Sequence, residues 1–368
     1  MDEKAPDFIV FLVVIILLAI GVVMVFSSTS VVAYQRLGDS FFYLRRQIMW
    51  ASIGILAMLG FMKFDYHKFY DKTPLIFIVS LAFLGSIYIP GLGHEVKGAV
   101  RWLNLGPLPL IQVAEIAKLG MVIYLARYLS REDKKISNFL QGLLPALLLI
   151  GIMLILVLLQ PDLGTTVTMG GTAFIMFIGA GAKYLHLGSL IALIIPALTY
   201  MIVSEPYRRR RLFAFLNPWA DPLGTGFHII QSLYALGSGG LFGVGLGNSK
   251  QKFLYLPEPG TDFIFSVLGE ELGYLGIFSV IALYLIFTWR GIKIAIAAKD
   301  LFGSLLALGI TIMISLQAIV NMGVVSASMP VTGITLPFIS YGGSSIGIMM
   351  IGVGILLNIS KQTDSKPV

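Results

Sequence analysis

In the stretch Leu254-Tyr-Leu-Pro-Glu-Pro-Gly-Thr-Asp-Phe-Ile-Phe-Ser-Val-Leu-Gly-Glu-Glu-Leu-Gly-Tyr-Leu-Gly276, three carboxylates stand at or inside the mouth of an apolar segment: Asp262, Glu270 and Glu271. The two prolines and Gly260 stop whatever precedes them. Thr261 or Asp262 can then cap a long apolar helix, because a side-chain oxygen there satisfies free first-turn amides. The other reading is functional: ionisable groups in a segment this apolar are costly and face a cavity or a partner. Arg208 to Arg211 form a second group. Guanidinium forks match phosphate oxygens, so this run reads either as an anion site or as a juxtamembrane anchor on lipid headgroups. Arg45, Arg46 and Arg101 add positive charge near other span ends. Glu115 and Lys118 lie three apart and so share a helix face, either as an ion pair hidden from lipid or as the wall of a polar cavity. Asp162, in Gln160-Pro-Asp-Leu-Gly-Thr165, stands where a helix cap is expected.

These residues sit in a chain that is 57% hydrophobic and only 12% charged, with a mean hydropathy of +0.88. A soluble domain carries about twice that charged fraction. Apolar runs long enough to cross a bilayer recur near 8–26, 47–62, 74–90, 108–126, 143–160, 163–182, 187–204, 263–289, 302–325 and 344–360. The expected fold is an all-α polytopic membrane protein of about ten transmembrane helices, a single integral domain over residues 1–368. A large loop, about 204–262, joins helices 7 and 8, and a short tail begins near 361. That loop carries enough apolar residues to fold against the bundle. The uncharged run from Phe8 to Phe26, with no small-residue cleavage site after it, reads as a retained first span.

Ten spans place both termini on one side. Lys and Arg divide 14 to 11 between the two sides. The rule discounts long loops, and without the six charges of the 204–262 loop the split is 14 to 5. Both termini are therefore expected in the cytoplasm, with the loop outside. There is no cysteine and no paired-histidine motif, so neither a disulfide framework nor a zinc site is indicated. Gly243-Val-Gly-Leu-Gly247 resembles a nucleotide loop only superficially, since it follows no strand and opens no βαβ unit. Without a Walker sequence, no nucleotide is expected. Met329 to Ser345, with two prolines, is a polar break between the last two spans, of a kind tolerated where it lines a cavity or packs in protein.

Several blocks, in order along the chain, resemble the SEDS proteins (shape, elongation, division and sporulation), the FtsW and SpoVE branch more than RodA. They are Val100-Arg-Trp-Leu-Asn-Leu-Gly106, Gln160-Pro-Asp-Leu-Gly-Thr165, Asn217-Pro-Trp-Ala-Asp-Pro222, Gly245-Leu-Gly-Asn-Ser249, Thr261 to Gly273, and Leu336-Pro-Phe-Ile-Ser-Tyr-Gly-Gly-Ser-Ser345. Two positions depart from the family pattern. The usual Gln-Pro-Ser-Glu of the fourth span reads Gln112-Val-Ala-Glu115, and a lysine that some FtsW proteins carry in the last outer loop is replaced near Thr332.

The resemblance implies a polymerase of lipid II in the bacterial cell (inner) membrane, serving division or sporulation. Its implied partners are a class B penicillin-binding transpeptidase, membrane lipids and other divisome or elongasome proteins; no nucleic acid is expected. The family's outer-loop aspartate maps onto Asp262 and its fourth-span pair onto Glu115 and Lys118. Asp262 is then the general base, or the ligand of a divalent cation (Mg or Mn). Arg208, Arg209, Arg210 and Arg211, with Arg45, Arg46 or Arg101, become candidates for the pyrophosphate. Two other functions fit part of the pattern, a lipid II flippase and a non-catalytic scaffold. A flippase needs polar groups through both leaflets, and the inner halves of these spans are poor in them. A scaffold would tolerate the loss of Asp262.

Overall fold

The computed structural model describes residues 5–363 apart from 97, 105, 107–109, 132–135, 137, 254–255 and 257. Lys4, Lys97, Lys134, Lys135 and Lys366 of the charge count, Leu105, Leu108 and Pro109, the chain after 363, and Leu254, Tyr255 and Pro257 of the acidic stretch lie outside the described residues. Helices occupy all ten expected spans: α1 (Phe8–Leu37), α2 (Phe42–Lys63), α3 (His67–Ser86), α4 (Val113–Ser130), α5 (Leu144–Leu158, entered through a π turn at Phe139–Leu143), α6 (Leu163–Gly179) and α7 (Tyr184–Ser204) precede the long loop. The loop itself folds into α8 (Pro206–Leu216) and α9 (Phe227–Ser238), and α10 (Ile264–Ala297), α11 (Leu301–Val325) and α12 (Gly343–Lys361) follow. Among the described residues, six of the spans are by length and composition apolar enough to cross a membrane.

Helix α11 is the hub, packing against α4, α6, α10 and α12. Small residues let neighbours approach, as membrane helices require when no hydrophobic force drives them together. A side chain at Gly309 would run into Val122 of α4 and Met176 of α6. The turn at Gln160-Pro-Asp162 is a true break between α5 and α6, where Asp162 Oδ1 accepts the Thr165 amide at 3.0 Å and caps α6.

Two features depart from the sequence reading. Between α3 and α4 the chain forms a small antiparallel sheet, β1 (Gly93–Val96), β2 (Ala99–Leu103) and β3 (Ile111–Gln112), in that order. These strands are too short to show against the apolar runs beside them. They delay the start of α4 to Val113 and carry Arg101 on β2. The second feature is in α10, expected as one continuous helix over 263–289. It runs to Ala297 and breaks at Gly273, where φ is +66° and ψ is −166°.

The break is mortised into the glycine-rich passage of the long loop. Val244 and Gly245 donate their amides to the carbonyls of Glu270 and Glu271, at 3.0 and 3.1 Å. In return Tyr274 and Leu275 donate to the carbonyls of Gly240 and Leu241, at 2.9 and 3.2 Å. Groups that a continuous helix would have paired internally are satisfied across the interface instead, as burial demands. Gly243 and Gly273 permit the approach. A Cβ on Gly273 would press into the Gly243 amide and stand 2.6 Å from the Leu241 carbonyl oxygen. In the stretch that resembles a nucleotide loop, Gly243 is there for backbone contact, since a Cβ on it would run into the Glu271 carbonyl. Gly273→Ala, burdened with both a left-handed φ and a collision, should cost on the order of 2–3 kcal/mol. Gly60→Ala, in a helix with open space around it, should be neutral or gain up to about 1 kcal/mol. Melting temperatures of the two variants in detergent test this, and equal shifts would rule the interlock out.

Candidate active site at the strap before α12

Pro330 and Pro337 lack the amides a helix needs, so residues 326–342 cross from α11 to α12 as an irregular strap. Side chains from the bundle take up its backbone. Asn321 Nδ2 donates to the Ile334 carbonyl at 2.7 Å, and Gln317 Nε2 to the Thr335 carbonyl at 3.0 Å. The Tyr284 hydroxyl donates to the Pro337 carbonyl. Ser340 Oγ accepts the Leu336 amide at 2.8 Å and donates to the Thr261 carbonyl at 2.6 Å, while the Tyr341 amide donates to the Gly260 carbonyl at 2.8 Å. Phe338 is buried with φ at +64°, a conformation costly for a bulky residue and held here by its surroundings.

Asp262 is therefore laid against the strap by its own neighbours. Asn321 Nδ2 also reaches the Asp262 carbonyl, at 2.9 Å. A Cβ on exposed Gly333 would stand 3.4 Å from Asp262 Oδ2. Helix α10 begins at Ile264 with Phe263, which has no side-chain oxygen, in the cap position. The expected cap by Thr261 or Asp262 is not what starts this helix.

Glu115 and Lys118 form the expected pair, Oε1 to Nζ 2.8 Å, with both side chains almost wholly buried. Lys118 also donates to Gln317 Oε1. A continuous polar line thus runs from Glu115 through Lys118 and Gln317 to the strap, one helical turn from Asn321 and Asp262.

Glu270 and Glu271 have a different use. Glu270 accepts from Ser249 Oγ and from the Lys250 and Gln251 amides, the latter two at 2.9 and 3.3 Å. Glu271 accepts from Ser27 Oγ of α1 and from Lys252 Nζ at 3.0 Å. Both carboxylates and Lys252 are buried. They lock the end of the long loop onto α1 and α10, next to the helix turn that follows Asp262.

The arginines do not converge as one set. Arg211 Nη1 reaches the Val331 carbonyl of the strap at 3.3 Å; Arg209 and Arg210 are exposed and Arg208 is half-buried on α8. Arg46 lies over the Phe42 ring, close to Tyr341 at the far end of the strap. Arg45 pairs with Asp39 on the surface. Arg101 is engaged by protein, donating to the carbonyls of Gln160 (3.0 Å) and Pro161, so it braces the α5–α6 turn. In the loop, the amide and hydroxyl of Thr225 hold Asp221 below the usual carboxylate range. That contribution is present at neutral pH and fades as pH falls through the lowered value.

The family model described as "Cell cycle protein", covering FtsW, RodA and SpoVE, matches residues 7–365. The chain belongs to this family. It is 45% identical to the stage V sporulation protein E of Bacillus subtilis over 361 residues, 98% of each chain. It is 42% identical to a probable peptidoglycan glycosyltransferase FtsW of Geobacter metallireducens, covering 98% of this chain and 96% of that one. Among solved structures, it superposes on a chain from a study of how a peptidoglycan synthase complex coordinates polymerization and crosslinking, with TM-score 0.80 and 32% identity over 97% of this chain and 98% of that one. The rod shape determining protein RodA of Thermus thermophilus gives TM-score 0.72 at 28% identity, over 98% and 99%. The FtsW, RodA and SpoVE fold is thus a polytopic membrane fold, and this member of the family has it.

In this FtsW/RodA/SpoVE-family chain, sequence reasoning passed over Gln317, Asn321 and Lys252. The two amides were legible as a pair four residues apart, hence on one face, in an otherwise apolar span. Lys252 gave no such signal, because its partner comes from another element. Lys252→Met should strand Glu271 as an uncompensated buried charge and destabilise by about 3–5 kcal/mol. The double variant Lys252→Met/Glu271→Gln should recover most of that loss. Thermal unfolding of the three proteins checks the coupling.

Proposed function

We propose that this chain is a peptidoglycan glycosyltransferase that polymerises lipid II at the outer leaflet, with both termini in the cytoplasm and a class B penicillin-binding transpeptidase as partner. The observation that carries the reading is Asp262, held by Asn321 against a strap that Arg211 and Arg46 also reach. The 4-hydroxyl of one GlcNAc attacks the anomeric carbon of a MurNAc. A carbon–oxygen bond forms there as the bond to the pyrophosphate oxygen breaks, and undecaprenyl pyrophosphate leaves. Asp262 takes the hydroxyl proton as general base, and guanidinium groups stabilise the charge growing on the leaving group. Arg211 and Arg46 are the best placed of the candidate arginines. An apolar cleft between α3 and α4, lined by Leu75, Val79, Ile116, Leu119 and Ile123, is suited to the polyprenyl tail.

A divalent cation is the alternative partner for Asp262. Among the described residues no three His, Cys, Asp or Glu side chains gather to hold a metal. A hard cation at Asp262 would therefore share its oxygens with the substrate's phosphates, as Mg²⁺ commonly does. The flippase reading is disfavoured by the opposite end of the bundle, where several charged groups are paired with one another. Asp7 pairs with Arg290, and Asp300 takes Tyr66 and His67.

Glycan polymerisation from purified lipid II in liposomes, with the transpeptidase and Mg²⁺ or Mn²⁺ present, tests the proposal. Wild type should form polymer, and Asp262→Asn should lose at least about 100-fold in rate, the usual worth of a general base, at an unchanged melting temperature. Equal rates would make Asp262 structural. Absence of polymer from wild type, with labelled lipid II crossing the bilayer, would favour the flippase.

A further inference from the structure

The side chains that fix the strap leave polar atoms over. Asn321 spends its amide hydrogens on Asp262 and Ile334, yet Oδ1 has no hydrogen-bond partner among the described residues, although Asn321 is only 1% exposed. Glu115 meets Lys118 through Oε1, and Oε2 is likewise unpartnered at 3% exposure. Thr332 Oγ1 is a third such atom. All three sit on residues that belong to the strap or are linked to it by hydrogen bonds. Asn321 holds the strap at Ile334; Thr332 precedes Gly333, which faces the Asp262 carboxylate; and Glu115 is joined through Lys118 and Gln317 to Thr335.

A buried polar group without a partner costs about 1–3 kcal/mol, and buried side chains are ordinarily satisfied. Three tied to one strap mark a place that a ligand completes. Their chemistry says which ligand. An amide carbonyl oxygen, a carboxylate oxygen and a hydroxyl all accept hydrogen bonds. Such a lining disfavours phosphate oxygens, which are acceptors themselves, and suits a ligand rich in O–H and N–H donors. Of the cations here, Lys118 is spent on Glu115 and Gln317, while Arg211 at Val331 and Arg46 near Tyr341 stand at the margins of this strip.

We propose that Thr332, Asn321 and Glu115 form a sugar-recognising subsite, taking hydrogen bonds from the hydroxyl and N-acetyl N–H groups of an N-acetylated hexosamine, while the pyrophosphate stays with the arginines. This rests on the glycosyltransferase reading, and it orients the substrate across the strap. Thr332 gives the sharpest test because its hydroxyl holds no partner among the described residues. Thr332→Val breaks no hydrogen bond of the free protein, so its melting temperature should not fall.

The experiment measures equilibrium binding to the full-length protein in detergent with two probes, an undecaprenyl-pyrophosphate-linked N-acetylated disaccharide and undecaprenyl pyrophosphate itself. Thr332→Val should weaken the sugar-bearing probe about five- to tenfold, the worth of one hydrogen bond, and leave the sugar-free probe unchanged. Thr332→Ser, which keeps the hydroxyl, should restore binding, and Arg211→Ala should weaken both probes. Unchanged affinity for the sugar-bearing probe, or parallel loss for both probes in Thr332→Val, overturns the subsite. If the probes sort as expected but wild type with its transpeptidase forms no polymer, the glycosyltransferase reading fails and the subsite stands. If polymer forms and Thr332→Val binds and turns over like wild type, the subsite fails and the reading stands.

Discussion

A backbone that leaves the helix inside a membrane protein must find partners for every amide and carbonyl it frees, because lipid supplies none. This chain leaves the helix at the strap 326–342 and at Gly273, and both departures flank Asp262. At Gly273 the freed groups are exchanged with the glycine-rich loop, backbone to backbone. At the strap they are taken by side chains, Asn321, Gln317, Tyr284 and Ser340. The short helix that follows Asp262 is thus fixed at both ends by groups with little room to move. Precise placement of one reacting carboxylate is what such fixation provides.

The ionisable residues of the apolar region divide by how completely they are satisfied. Glu270, Glu271 and Lys252 have their capacity met by serines, amides and one another, and they serve as a lock. Glu115 and Lys118 are also paired, yet Glu115 keeps an oxygen in reserve. Asp262 is half-buried beside an exposed glycine. Since a buried ion pair adds little net stability once desolvation is counted, the lock has its value in position: it joins the end of the long loop to α1 and α10. The long loop is in this sense part of the bundle, which accounts for a polar site assembled from elements distant in the sequence.

Much of the fold was legible because the bilayer makes a coarse demand that composition answers. A span needs about twenty apolar residues, and each of the ten expected runs is occupied by a helix. The Glu115–Lys118 pair followed from helical spacing, and the Asp162 cap from its place after Pro161. Asp262 stood out as a carboxylate at the mouth of an apolar segment. The three strands before α4, the break at Gly273 and the separate fates of the arginines left no such trace. A four- or five-residue strand has no periodicity to detect, and a glycine in a helix does not announce what will press against it.

What the sequence by itself determined were the properties fixed by near neighbours: spans, turns, caps, and pairs three or four residues apart. Only the tertiary structure decided which charges are used up and which are left. Arg101 is bound to carbonyls 59 and 60 residues away, Lys252 to a glutamate on α10, and Asn321 to the backbone of Asp262 and the strap together. The physical reason is that the cost of a buried polar atom depends on whether a partner arrives from elsewhere in the chain.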